Sequence, residues 1–217
     1  MNYCHPKLSS KRGSKFVSLK TKGQTKEKVS GFLLARADGK RCTPMIVYKG
    51  APKGLIYREV NGFNDDNLVC VTQKKAWCDN DVMTQWIEKV WKKEAPNQRK
   101  LLILDNYTVH EQCKEQLEYS PQVKVIFLPA NSTRLLQPLD LTVNKLIKNN
   151  LRDLWVRKHD TSNSKLSRRE IANRVLEAWQ SIQNEQVEIG FRKSKLCRIE
   201  IIERMEIEEI SYNQIRD

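Results

Sequence analysis

Two short runs, KLLILD at residues 100–105 and VKVIFL at residues 123–128, decide the fold of this chain. Each run is continuous, mainly apolar and of strand length, which is typical of a strand covered on both faces. A short polar helix predicted over residues 111–118 separates them. The order strand, helix, strand predicts a parallel pair joined by a crossover, and therefore an α/β domain.

A hairpin is predicted upstream of this pair. The run VSGFLLARA at residues 29–37 is followed by a turn containing Asp38-Gly39 and by a second apolar run at residues 45–48. Asp-Gly between two such runs is a strong hairpin signal. Weaker signals predict a short strand at residues 16–19, a loop over residues 50–70 and one short strand within that loop at residues 55–58.

Helices are predicted on both sides of the parallel pair. One begins near Asn80 or Asp81 and ends before Pro96, and another begins near Asp140. A third covers residues 167–183, because Ser167 and Glu170 form a capping box ahead of an apolar stripe. Residues 199–210 fit a helix and a strand about equally well.

Composition indicates a folded, basic protein. The 217 residues include 39 Lys plus Arg and 26 Asp plus Glu, for a net charge of +13, and 39% are hydrophobic. Residues 1–30 carry eight basic side chains and one acidic, residues 141–169 carry eight and two, and residues 201–217 carry two and five. Two basic blocks predict an acidic partner, and a phosphate backbone is the commonest one.

The chain has no apolar run approaching the roughly 18 residues of a membrane span and no apolar stretch at its start that resembles a secretory signal. We therefore expect it to stay inside the cell and away from membranes. Its six cysteines form no CxxC pair, which favours free thiols and disfavours a structural zinc site.

Two acids stand where a site is expected. Asp105 ends a strand, and Asp140 begins a helix on the side that carries Val143 and Ile147. Each could simply cap a turn or a helix. Together they predict one site, where two partly buried carboxylates need a cation such as Mg²⁺ or Mn²⁺ to offset their repulsion.

The segments LLILDNYTVH (101–110) and VKVIFLPANSTRLLQPLDLTVNKLIKNNLR (123–152) resemble the catalytic core of DDE-type transposases of the pogo, Tigger and jerky group. The matching positions include Leu128-Pro129, Thr133, Leu136 through Asp140, and Asn144-Lys145. The 34 residues between Asp105 and Asp140 also resemble the pogo-like spacing.

This resemblance implies an RNase H-like fold with a mixed sheet flanked by helices. We expect that core over residues 1–160 and a C-terminal helical extension over residues 161–217. It further implies a metal-dependent nuclease and strand-transfer site, with Asp105 and Asp140 as the second and third acidic ligands of Mg²⁺ or Mn²⁺. His110 would be a nearby site residue, and Gln137 and Pro138 would shape the loop before Asp140.

The first acid of the family pattern falls before Met1, so the chain is expected to lack the first strand and one metal ligand. Asp38 is no substitute, because it lies in the hairpin turn, at the wrong end of its strand. We therefore expect impaired DNA cleavage. The helix-turn-helix domains of full-length relatives are also absent from these 217 residues.

Three interpretations stay open at this stage. The chain is a transposase-derived domain that binds DNA but cleaves it poorly, a non-enzymatic nuclear module that binds DNA or protein, or a gene fragment whose missing exon supplies the first strand. We expect the protein to be nuclear. Lys145, Lys148 and Arg152 are the predicted phosphate contacts, and a homodimer is an option that the sequence leaves open.

Overall fold

The computed structural model describes residues 29–159 and 166–196. The predicted strand at residues 16–19, most of the first basic block and the ambiguous segment 199–210 lie outside those ranges. The described strands are β1 (Val29–Phe32), β2 (Met45–Lys49), β3 (Val69–Gln73), β4 (Lys100–Asp105) and β5 (Val123–Leu128).

The strands form two small sheets. One has the order β1-β2-β3, with β1 antiparallel and β3 parallel to β2, and the other is the parallel pair β4-β5. Both predicted parallel strands are confirmed residue for residue, with Asp105 opposite Leu128 at the carboxyl end. The expected α/β class is therefore confirmed.

The prediction that β4 is covered on both faces was wrong, as far as the described residues show. Leu102 is buried, but Leu101 on the other face is 39% exposed. The buried face belongs to the largest core cluster, which unites residues of both sheets with α2 (Asn80–Trp86). The opposite face meets only a small cluster around Ile126 and Leu128.

The hairpin is confirmed, although β1 ends at Phe32 and only the bridge Ala35↔Arg41 continues the pairing. The turn closes through the Arg36 amide, which donates to the Lys40 carbonyl at 2.8 Å. Gly39 has φ +86°, and a Cβ there would lie 2.8 Å from the Cβ of Asn184. Both the backbone angle and the close approach of a later helix therefore require glycine.

The loop predicted over residues 50–70 was wrong in part, and the strand predicted within it at residues 55–58 was wrong. Helix α1 (Leu55–Asn61) occupies that position, and β3 begins at Val69. Ile56 and Val60 share one helical face and pack in the second core cluster. The apolar start of this segment resembles a strand, but tertiary burial selects the i, i+4 spacing of a helix.

The helix expected from Asn80 is confirmed. The Asp79 carboxylate accepts a hydrogen bond from the Val82 amide at 2.9 Å and caps α2. A π-helical turn, Ile87–Trp91, extends it and stacks Trp86 on Trp91 with ring planes 3° apart. The crossover from β4 to β5 contains α3 (Thr108–Gln112) and α4 (Lys114–Leu117), so the predicted helix begins earlier and breaks at Cys113.

The predicted continuous helix from Asp140 was wrong, because the backbone breaks at Thr142. The Thr142 hydroxyl donates to the Gln186 carbonyl at 3.1 Å, and a Cβ on Gly190 would lie 2.6 Å from the Pro138 carbonyl oxygen. A crossing helix therefore holds the break. The helices of this part are α5 (Thr133–Leu136), α6 (Pro138–Leu141), α7 (Val143–His159), α8 (Arg168–Gln180) and α9 (Asn184–Ser194).

The capping box at the start of α8 is confirmed, and this helix ends at Gln180 rather than residue 183. Helix α9 was not predicted, since Val187 and Phe191 are too few apolar residues to form an obvious stripe. Helix α8 packs on β1 to β3 through Ile171 and Ala172. The Trp179 ring nitrogen donates to the Cys42 carbonyl at 2.9 Å.

Within the described ranges, no helix combines the length and the apolarity that a membrane span requires. Four cysteines can be placed, at positions 42, 70, 78 and 113, and all are buried thiols outside any disulfide between described residues. Burial raises the pKa of Cys42 and of Cys70 to about 12, so both remain neutral thiols at pH 7.

The division of the chain into a core over residues 1–160 and a C-terminal extension over residues 161–217 stays a prediction.

Candidate metal centre and its surroundings

The carboxyl end of β4 carries the first candidate ligand. Asp105 is the last residue of the strand, and its side chain is 16% exposed. The parallel register places it opposite Leu128, so the chain leaves both strands at the same edge of the sheet. Ligands of α/β proteins gather at this type of edge.

His110 contacts Asp105 directly. Its Nδ1 lies 2.9 Å from Asp105 Oδ1 and 3.2 Å from the Asp105 carbonyl oxygen, and the side chain is 9% exposed. The carbonyl oxygen is the acceptor of the Nδ1 hydrogen bond, so Nδ1 carries the proton, and the same nitrogen lies within ion-pair distance of the carboxylate. The sequence left the role of His110 undecided, and the structure brings this residue to the predicted acid.

Tyr107 completes the group around Asp105 and was missed by the sequence reasoning. Its amide donates to the Asp105 carbonyl at 2.9 Å, and its ring meets the His110 ring edge-on at 5.4 Å. The hydroxyl donates to the Cys78 carbonyl at 3.2 Å, and burial raises the pKa of Tyr107. The position of Tyr107 between a strand end and a helix start was the available signal.

Asp140 lies in the short helix α6, and its environment differs. Its amide donates to the Gln137 carbonyl at 3.1 Å, and its Oδ1 accepts a hydrogen bond from the Asn144 side chain. Pro138 is buried at the first turn of α6, where its fixed φ suits a helix start. The structure therefore anchors Asp140 from both sides along the chain.

Gln137 adds an oxygen with no partner. Its Oε1 is buried and accepts no hydrogen bond from any residue that the structure describes. A buried acceptor without a donor is costly. A hard cation would satisfy it, because Mg²⁺ and Mn²⁺ prefer carboxylate and amide oxygens. The sequence had assigned this residue only a role in shaping the loop.

The donor chemistry near Asp105 and Asp140 thus fits Mg²⁺ or Mn²⁺, while the number of acidic ligands is small. Among residues 29–159 and 166–196, no group of three or more His, Cys, Asp or Glu side chains could hold a metal ion. Two carboxylates alone would bind such an ion weakly.

The predicted phosphate contacts all lie on α7. Lys145 and Arg152 are exposed, and Lys148 is half-buried. Arg152 donates to the Asn149 side chain at 3.0 Å, which orients its guanidinium. The predicted angles of these side chains from Asp140 assumed one continuous helix, and the break at Thr142 removes that assumption. The Asn144 hydrogen bond nevertheless holds the first turn of α7 against Asp140.

Comparisons with known proteins identify the family of this chain. The sequence profile of the DDE superfamily endonuclease family matches residues 26–191. The chain is 28% identical over 203 residues to "Pogo transposable element with KRAB domain" of Homo sapiens, covering 84% of this chain and 31% of that protein. It is 27% identical over 203 residues to the Mus musculus protein of the same name, with the same coverage.

A third relative is "CENP-B homolog protein 2" of Schizosaccharomyces pombe, 27% identical over 148 residues, which cover 64% of this chain and 28% of that protein. The chain thus spans about a third of the length of the curated relatives it matches. No solved structure matches it significantly. Because the family profile covers most of its residues, the chain belongs to the DDE superfamily endonucleases, as a domain of the pogo type.

Proposed function

We propose that this chain is a DNA-binding domain descended from a metal-dependent DNA endonuclease and strand transferase, with impaired cleavage. The observation that carries the proposal is the Asp105–His110 pair, 2.9 Å apart at the carboxyl end of a parallel strand, in a member of the DDE family. A half-buried carboxylate that contacts a histidine at such an edge is suited to bind a metal ion.

Asp105 and Asp140 would be the carboxylate ligands of Mg²⁺ or Mn²⁺ in this proposal, and the orphaned Gln137 oxygen supports a cation nearby. When bound, the metal would polarise a phosphodiester and lower the pKa of an attacking water. His110 would hold Asp105 in its binding orientation, and Asn144 would do the same for Asp140.

The proposed fold in finer detail is RNase H-like, with both sheets as parts of one mixed sheet. Residues of both sheets, such as Val47 and Leu102, belong to the same core cluster. Within the described ranges, β1 pairs only with β2, and β4 pairs only with β5. Each therefore has one edge that could accept a further strand.

Impaired cleavage is proposed because the described residues bring only two acids, Asp105 and Asp140, to the proposed site. Asp38 does not add a ligand, because it lies in the hairpin turn and pairs with Arg36 at 2.6 Å. Two carboxylates are expected to hold one divalent ion weakly and a second one hardly at all, and two-ion chemistry would then fail. DNA binding needs no metal, because basic side chains contact phosphates directly. Lys145, Lys148 and Arg152 are part of the net charge of +13.

Nuclear location is proposed with this function, because DNA is the expected partner. A homodimer stays a prediction of the sequence. The alternative is a non-enzymatic module that binds protein through the same basic surface. Salt dependence separates the two, since release of counterions from DNA makes affinity fall steeply with ionic strength.

Two assays test the proposal. Duplex DNA should bind at low salt, and the affinity should fall by orders of magnitude as salt rises from about 50 to 200 mM. In a plasmid-nicking assay with Mg²⁺ or Mn²⁺, the chain should show little cleavage. Robust nicking that disappears in Asp105→Ala would contradict impaired cleavage, and absence of DNA binding at low salt would favour a protein partner.

A further inference from the structure

Trp77 is an unusually exposed tryptophan. Its side chain is 52% exposed, whereas the neighbouring residues Ala76 and Cys78 are 0% and 5% exposed. Tryptophan is highly buried in most proteins because it is large and mainly apolar. Two buried neighbours force Trp77 outward, so its exposure is a feature of the loop and not of a loose chain end.

Hydrogen bonds hold the backbone around Trp77. The Gln73 side-chain oxygen accepts from the amides of Lys75 at 2.6 Å and Trp77 at 3.1 Å. The Gln73 side-chain nitrogen donates to the Asp79 carboxylate at 2.9 Å, which also caps α2. Ala76 adopts φ +54°, a left-handed conformation that a less constrained alanine would avoid. The indole is thus presented from a fixed backbone.

The same loop contacts the group around Asp105. Cys78, next to Trp77, accepts the hydroxyl hydrogen bond of Tyr107 at 3.2 Å. The Tyr107 ring meets His110 at 5.4 Å, and His110 contacts Asp105 at 2.9 Å. Tyr107 is itself 37% exposed. The accessible Tyr107 ring therefore connects the loop that carries Trp77 with the residues around Asp105.

The loop that carries Trp77 has two exposed positive charges. Lys74 and Lys75 directly precede Ala76 and are both exposed. Neither forms an ion pair with any residue in the described ranges. Exposed lysines beside an exposed aromatic face suit single-stranded nucleic acid, in which phosphates meet the cations and bases stack on the ring.

We infer that Lys74, Lys75 and Trp77 form a single-strand contact beside Asp105, in which an unpaired base of a DNA end stacks on the Trp77 indole. This inference rests on the proposed DNA binding and adds to it. It assigns the loop after β3 to unpaired bases, while the basic residues of α7 contact duplex phosphates. A base inside a duplex is already stacked, so this contact favours frayed or extended ends.

The test compares a blunt duplex with the same duplex carrying a short single-stranded 3′ extension, by fluorescence anisotropy. Trp77→Ala should weaken binding of the extended duplex about tenfold and leave the blunt duplex unchanged. Trp77→Phe should keep most of the affinity, because a phenyl ring still stacks. The extended duplex should quench tryptophan emission in the wild type and less in Trp77→Phe.

A charge control uses Lys93, which lies beyond the far end of the helix that begins at Asn80, about 20 Å along its axis. Lys93 is exposed and, like Lys74 and Lys75, has no partner among the described residues. Lys75→Glu should reduce affinity for the extended duplex more than Lys93→Glu does, although both change the net charge equally. Unchanged melting temperatures would show that each variant is folded.

Equal affinity of wild type and Trp77→Ala for the extended duplex would overturn the inference while leaving the proposed DNA binding intact. The same holds if Trp77→Ala weakens both duplexes equally. Self-association that disappears in Trp77→Ala would instead identify this surface as an interface between copies of the chain. A wild type that binds neither duplex at low salt would remove the inference together with the proposed function.

Discussion

Asp105 and Asp140 are proposed to bind one ion, yet they are positioned by different means. Asp105 ends a paired strand, and Nδ1 of the buried His110 lies 2.9 Å from its carboxylate. Asp140 lies in a four-residue helix whose position depends on α9 crossing it at Gly190. Local strand pairing is sufficient for the first acid, whereas the second depends on contacts with residues distant in sequence.

The largest expected effect is on the Asp140 side. Gly190→Ala would place a Cβ 2.6 Å from the Pro138 carbonyl oxygen and 2.7 Å from the Thr142 hydroxyl. We expect it to lower the free energy of unfolding by about 2 to 3 kcal/mol, although alanine favours the helix by about 1 kcal/mol. Urea unfolding measures this effect.

Gly31→Ala is the matched control, because nothing lies within 4 Å of the Cβ that it would add. It should change stability by less than about 1 kcal/mol. If Gly190→Ala were equally harmless, α9 would not hold the break at Thr142, and the contrast between the two acids would lose its physical basis.

The second effect concerns the Asp105 side. His110→Ala removes the donor that faces a mostly buried carboxylate, so we expect a loss of about 2 kcal/mol in unfolding free energy. Mn²⁺ affinity, measured by isothermal titration, should fall with it. His110→Asn retains a nitrogen donor near the position of Nδ1 and should recover part of both losses. No recovery would mean that His110 packs against Asp105 without orienting it.

A smaller effect is expected at Glu94, whose carboxylate binds Arg36 and Lys40 of the hairpin that contacts α9. Burial raises the pKa of Glu94, but hydrogen bonds from Lys40 and Arg36 outweigh it, and the pKa lies below its usual value. A lowered native pKa adds stability above the unfolded value of 4.5, and that stability is lost as pH falls through the native pKa.

Glu94→Gln should therefore cost about 1 kcal/mol at pH 7, where the wild-type carboxylate is charged. The difference between variant and wild type should shrink below pH 4.5, as a melting series across pH would reveal. A constant difference at every pH would assign the loss to packing. Glu88→Gln is the control, since Glu88 forms an exposed pair with Lys92 that is expected to contribute little.

The smallest effect is expected for Asn144→Ala. It removes the side-chain donor to Asp140, which lies near the surface, so the stability loss should be about 0.5 to 1 kcal/mol. Mn²⁺ affinity should fall more noticeably than stability, because the carboxylate loses its orientation. A decrease in stability without any change in Mn²⁺ affinity would remove Asn144 from the proposed metal centre.

The strands around Asp105 could be predicted because their signal is local. Runs of six mainly apolar residues define β4 and β5, and both sets of bounds agree with the structure. The capping box at Ser167 was predictable for the same reason, since its partners are three residues apart. His110 was suggested by family resemblance, and its contact with Asp105 crosses only five residues.

Predictions failed where distant contacts decide the outcome. Helix α1 has a strand-like start, and only packing of Ile56 and Val60 on the second core cluster selects a helix. The break at Thr142 comes from Gln186 and Gly190, more than forty residues later. The exposure of Trp77 was equally unpredictable, because burial of its two neighbours turns it outward.

The sequence by itself determined the parallel pair β4-β5, the position of Asp105 at its carboxyl end and the kinship with DDE endonucleases, since each resides in contiguous residues. The tertiary structure alone decided the anchoring of Asp140 beneath α9 and the outward position of Trp77. Apolar periodicity specifies which elements form, whereas close packing between distant segments specifies where their side chains meet.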